Sequence, residues 1–137
     1  TFLYAILHYS MQNAEERERL SRLRQHLSEL AEQLGALLPV FLDRAPVVKG
    51  SVYELRRKCG KPSCTCTRGS PHASMVLSWS EQGRTRLRTI PPRHIQRLRE
   101  ATVRYRQLRK ARARWVKLQG EMLALIDRLE QGRRQEP

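Results

Sequence analysis

The sequence predicts an α+β protein, with two long helices and a small antiparallel sheet between them in chain order. Three observations predict it. A leucine repeat occupies the first third, short alternating runs surround a cysteine-rich loop in the middle, and an arginine-rich helical pattern fills the last third.

The first helix is expected over residues 13–38. Asn13 followed by Glu16 fits an N-cap with a reaching glutamate. Behind it Leu20, Leu23, Leu27, Leu30, Leu34 and Leu37 recur at spacings of three and four, the seam of a coiled coil or helical hairpin. Pro39 is expected to end it. Residues 1–12 are read as a disordered or non-native leader.

A sheet region is expected over residues 47–91. The stretch "VVKGSVYELRRKC" alternates and reads as a strand entering the cysteine loop. Residues 74–80, "SMVLSWS", and 84–90, "RTRLRTI", read as a hairpin. A three-residue loop, Glu81-Gln82-Gly83, is the expected connection, because it sets Leu77 opposite Leu87 and Trp79 opposite Thr85. That register makes one apolar face and one Ser/Arg face, with Arg84, Arg86 and Arg88 spaced about 7 Å apart along the strand.

Pro91-Pro92 presets the second helix, expected over residues 92–131, with a tail over 132–137. Leu98, Ala101, Tyr105 and Leu108 form one part of its seam, and Leu118, Met122, Leu125 and Leu129 another. Arg112 at a seam position, the short step from Trp115 to Leu118, and Gly120 predict a kink or a change of partner between them. The second helix should run about 57 Å and the first about 39 Å. On those lengths the second overhangs, and its last apolar stretch calls for a homodimer or a larger protein partner.

The net charge of +14 is concentrated: residues 49–117 hold 19 Lys/Arg against Glu54, Glu81 and Glu100. A basic zone of that kind attracts polyanions, of which phosphate backbones are the commonest. The opening "TFLYAILHYS" is far shorter than the roughly 20 residues of a spanning helix, and no membrane partner is expected. Three cysteines, an odd number, fit a reducing interior. The expected setting is cytoplasmic and nucleoid-associated.

All three cysteines fall in "CGKPSCTCTRGSPH", residues 59–72. Cys59, Cys64, Cys66 and His72 together form a closed tetrahedral donor set for a structural zinc ion, although ligand type alone does not separate zinc from iron. Gly60-Pro62 and Gly69-Pro71 suit the turns between ligands, while Lys58, Lys61 and Arg68 would offset the charge of the centre. The competing readings are three free thiols with an incidental histidine, or redox chemistry. A catalytic metal is not expected, since every coordination position is filled and Glu54 and Glu81 read as surface ion-pair partners. No carboxylate pair, nucleophile–base set or phosphate loop is visible, so no enzyme is expected.

The run "GSVYELRRKCGKPSCTCTRGSPH", the hairpin, "IPP" and the long helix resemble a small uncharacterised prokaryotic family. Its core is C-G-K-P-x-C-x-C followed by H-G-P-Y, and its members often accompany transposases and other mobile elements. The resemblance covers about residues 49–118 and implies a metal knot and a mobile-element setting. Ala73-Ser74-Met75 stands where Gly-Pro-Tyr would follow the histidine.

The expected phosphate surface comprises Lys58, Lys61 and Arg68 of the loop, Arg84, Arg86 and Arg88 of the hairpin, and Arg93, Arg97, Arg99, Arg104, Arg106, Arg109 and Lys110 of the second helix. Arg99, Arg106 and Lys110 fall on one stripe, Arg97 and Arg104 on a neighbouring one. Arginine dominates, which favours bidentate phosphate contact. Tyr53, Trp79, Tyr105 and Trp115 are expected in the core, which argues against a single-strand stacking platform. The expected function is a non-catalytic nucleic-acid-binding accessory protein, DNA favoured over RNA. The alternatives are a coiled-coil scaffold and a structured-RNA binder.

Overall fold

A computed structural model of the protein describes residues 1–135 as two compact units. One joins Thr1–Leu42 to the chain from Ala111 onward, and the other is Asp43–Lys110. The architecture is α+β: helix α1 (Phe2–Leu42), strands β1 (Ser51–Arg57), β2 (His72–Glu81) and β3 (Arg84–Thr89), then helix α2 (Ile95–Arg133). Short 3-10 turns cover Thr65–Thr67 and Pro92–His94.

The first unit is an antiparallel helical hairpin. Leu20, Leu23 and Leu30 of α1 and Leu118 and Leu125 of α2 are buried together, flanked by Leu27, Leu34, Leu37, Met122 and Leu129. The rings of Phe41 and Trp115 meet edge to face at 5.6 Å near the start of this half of α2. At the other end, a Cβ on Gly132 would run into Leu20. The leucine seam therefore works as its spacing indicates.

Three features of the helices differ from expectation. Residues 2–12 are helical, not a disordered leader; with no breaker before Asn13, the helix simply starts earlier. Pro39 lies inside α1, which continues to Leu42. Only the bond that its missing N–H would make to Gly35 is forfeited, and the chain leaves the helix within a turn. In the last apolar stretch of α2, Leu118 and Leu125 are covered by α1, while Leu123 and Ile126 remain exposed. The start of α1 exposes apolar side chains as well, with Phe2, Leu3, Tyr4 and Leu7 in solvent. α2 is one helix from Ile95 to Arg133, so Gly132 and Arg133 are helical rather than tail; residues 136–137 of that expected tail lie outside the described residues. The seam irregularity falls close to Ala111, where α2 passes from one unit to the other.

The second unit holds the three-stranded antiparallel sheet, ordered β1-β2-β3. The Val48 N–H donates to the Ala101 carbonyl at 3.1 Å, and Arg104 Nε donates to the Pro46 carbonyl at 2.9 Å, so the segment before β1 is strapped to α2. Gly50, at φ +136°, follows that strap; any Cβ there would strike the Ser78 carbonyl. The Ile90 N–H donates to Met75 O at 2.8 Å, extending the ladder past β3.

The hairpin register corrects the expectation. Trp79 pairs with Arg86, Ser78 with Leu87 and Ser80 with Thr85, around a two-residue loop. Gln82 and Gly83 both take positive φ, 50° and 74°. Two left-handed residues form the turn whose twist matches the strands, and this preference outweighs the mismatch of apolar and charged partners. One face therefore carries Met75, Leu77 and Trp79 together with Arg84, Arg86 and Arg88, while Val76, Leu87 and Thr89 share the other. The Arg88 guanidinium lies over the Trp79 ring, 6.0 Å from its centroid, so the apparent mismatch is a cation–π stack.

Candidate metal centre and basic surface

The antiparallel pairing of β1 and β2 builds the cluster. Arg57 ends β1 opposite His72, which opens β2, so the loop between them must return to its own starting point. Cys59 lies two residues past that pair. The loop reverses at Gly60, φ +78°, a left-handed position that glycine takes without strain. The Cys64 N–H then donates to Lys61 O at 3.1 Å, and Cys64 caps the turn that carries Cys66. Thr67 donates both its N–H and its hydroxyl to the Cys64 carbonyl, the hydroxyl at 2.7 Å.

The result is four donor atoms, from Cys59, Cys64, Cys66 and His72, all within 4.8 Å of one another. Cys59 and Cys66 Sγ are 3.6 Å apart, and Cys64 Sγ is 3.1 Å from His72 Nε2. A tetrahedral centre with metal–sulfur bonds of about 2.3 Å has sulfur–sulfur edges of about 3.8 Å, so the cluster has the size of a metal site. All three cysteines are free, and Cys66 is buried while Cys59 and His72 are exposed. The Cys66 N–H, with the side chains of Cys66, Cys59 and His72, pulls the Cys64 thiol down to about 6. Cys66 goes the other way: the Cys59 backbone lowers its thiol, but burial and the neighbouring thiols outweigh that and push it up. A closely packed set of thiols, one of them pulled below the usual cysteine range by its neighbours, is a donor set that suits a soft metal.

The basic residues lie mostly in the same unit. Asp43–Lys110 contains 17 Lys/Arg against 4 Asp/Glu, a net of +13, while the rest of the chain, with 10 against 9, is at +1. Lys58, Lys61 and Arg68 are exposed around the cluster, and Arg84, Arg86 and Arg88 are exposed along β3. Glu81 pairs with Arg86 at 3.4 Å and Glu54 with Arg56 at 3.0 Å, so both carboxylates are the surface ion-pair partners expected.

On α2, at about 100° per residue, the two arginine stripes do not adjoin. Arg99, Arg106 and Lys110 flank one side of the seam made by Leu98, Ala101, Thr102 and Tyr105, and Arg97 and Arg104 flank the other. Arg104 is half-buried and committed to the Pro46 carbonyl. Arg93 turns its Nε onto His94 Nε2 at 3.1 Å. Arg109 falls on the seam side yet stays exposed. Arg99 and Arg106 line an open cleft of about 520 Å³ with Ser51 and Val52.

Two aromatics correct the expectation of four core rings. Tyr53 is 40% exposed, and Trp79 is half-buried under Arg88 rather than enclosed. The signal for Trp79 was the Gln82-Gly83 pair: reading it as a two-residue turn puts the indole among the arginines.

The chain matches the family model described as Domain of unknown function (DUF6788) over residues 15–100. That match spans most of the chain, including all four cluster residues and the sheet, and the protein belongs to this family. No curated protein and no solved structure matches the chain. No helix among the described residues is long and apolar enough to cross a membrane.

Proposed function

We propose that this protein is a non-catalytic nucleic-acid-binding protein whose basic unit is held in shape by a structural zinc ion. Cys59, Cys64, Cys66 and His72 hold the metal, and the arginines of β3 and α2 meet phosphate. The observation that carries the reading is the placement of a net +13 in the same unit of Asp43–Lys110 as the four-donor cluster. A metal there supplies rigidity to the loop joining β1 to β2; the exposed guanidinium groups do the binding. DNA is favoured over RNA, in a setting that accompanies mobile elements or genome maintenance, as the resemblance of the C-G-K-P-x-C-x-C core implies.

The test is a titration of duplex DNA, single-stranded DNA and polyglutamate at several salt concentrations. If about six phosphates are neutralised, the log–log salt slope for duplex DNA is about −5. Binding of DNA no tighter than that of polyglutamate at physiological salt contradicts the reading. It would favour a second one, a scaffold. That alternative draws on a specific feature: Phe2, Leu3 and Leu7 of α1, with Leu123 and Ile126 of α2, leave apolar side chains exposed for a protein partner or a second copy.

A further inference from the structure

We infer that the sheet face bearing Trp79 is a stacking seat for an unpaired base, so that the nucleic acid taken by this protein is a single strand. The inference rests on the phosphate-binding reading above and names the substrate class within it.

The register is its foundation. The two-residue turn at Gln82-Gly83 places Trp79 directly across from Arg86, and cross-strand partners project from one face. Arg84 and Arg88 project from that face too, and all three arginines are exposed. Trp79 is half-buried on the face that also carries Leu77 and Met75, and it is not enclosed in a core. The Arg88 guanidinium already lies 6.0 Å from its ring centroid. An indole and a planar guanidinium held together present the two kinds of surface on which unpaired bases stack. Among the described residues, the carboxylate engaged with this arginine row is Glu81, which holds Arg86 at 3.4 Å with both side chains more than half exposed, a contact that a phosphate can displace.

The chemistry then selects the strand. A base inside a duplex has both faces covered by its neighbours and cannot lie on an indole, whereas a single strand offers its bases freely. Phosphates on either side of the stacked base reach the arginine row along β3. A duplex can meet the same arginines only through its backbone.

The experiment uses the full-length metal-loaded protein. The chain has two tryptophans; Trp115→Phe leaves Trp79 as the only indole and preserves an aromatic ring against Phe41. Twelve-nucleotide oligothymidylate should quench Trp79 emission on binding, and a duplex at equal phosphate should bind without quenching. Oligouridylate tests the sugar: quenching by both strands or by thymidylate alone supports the stacking seat. In the natural background Trp79→Leu should weaken oligothymidylate binding about tenfold, and Trp79→Phe should restore most of it. Oligothymidylate that binds without quenching, together with Trp79→Leu as tight as the unsubstituted protein, overturns the stacking seat and leaves the phosphate reading standing. No binding of strand or duplex overturns both.

Discussion

The two units of this protein are held together by different means. The hairpin of α1 and the second half of α2 buries Leu20, Leu23, Leu30, Leu118 and Leu125, with five more large apolar side chains packed against them. The unit of Asp43–Lys110 fully buries only Cys66, Val76, Ile90, Ala101 and Thr102. Two of those are large aliphatics, and Cys66 belongs to the donor cluster itself. Other large apolar side chains of the unit, Leu55, Leu77, Leu98 and Leu108 among them, are only half-buried. A unit with so shallow an interior gains from a staple such as the proposed metal. One half of the molecule is therefore built on leucine packing, and the other on a loop that four ligands can close.

The comparison is broken most severely at the cluster. Cys64→Ser should remove the metal and unfold the sheet while the hairpin stays helical, since coordination supplies on the order of 10 kcal/mol of folding free energy in small metal-held domains. Metal content and circular dichroism read the two halves of that outcome. Leu118→Ala tests the other unit: Leu118 has no exposed surface, and the loss should be about 2–5 kcal/mol by chemical denaturation, with metal content unchanged. Gly83→Ala probes the turn, where φ of +74° should cost about 1–2 kcal/mol and lower the stability of the sheet alone. The smallest effect belongs to Glu81→Gln, which breaks an exposed pair with Arg86 and should change stability by less than about 1 kcal/mol while tightening oligonucleotide binding slightly.

The same comparison explains what could be read from the residues. The leucine seam was legible because α1 and α2 obey one period and bury it against each other. The cluster was legible because Cys59, Cys64, Cys66 and His72 fall within 14 residues of sequence, and the β1–β2 pairing of Arg57 with His72 closes them into one loop. The hairpin register was not. Side-chain matching favoured Leu77 opposite Leu87, but backbone twist favoured the Gln82-Gly83 turn, and the backbone prevailed because Arg88 could stack on Trp79. The start of α1 departs from the expectation for a related reason: an N-cap at Asn13 is a local option that an uninterrupted helix need not use. The separation of the two arginine stripes on α2 depends on which side of the helix is buried, which the basic residues themselves do not reveal.

The most direct measurement is amide hydrogen exchange across the whole chain, followed before and after metal removal with a chelator, alongside metal analysis of protein purified without added metal. The account predicts one bound metal per chain, whose removal abolishes protection in β1, β2 and β3 while Leu20–Leu30 and Leu118–Leu125 remain protected. Full protection of the three strands in metal-free protein would contradict it.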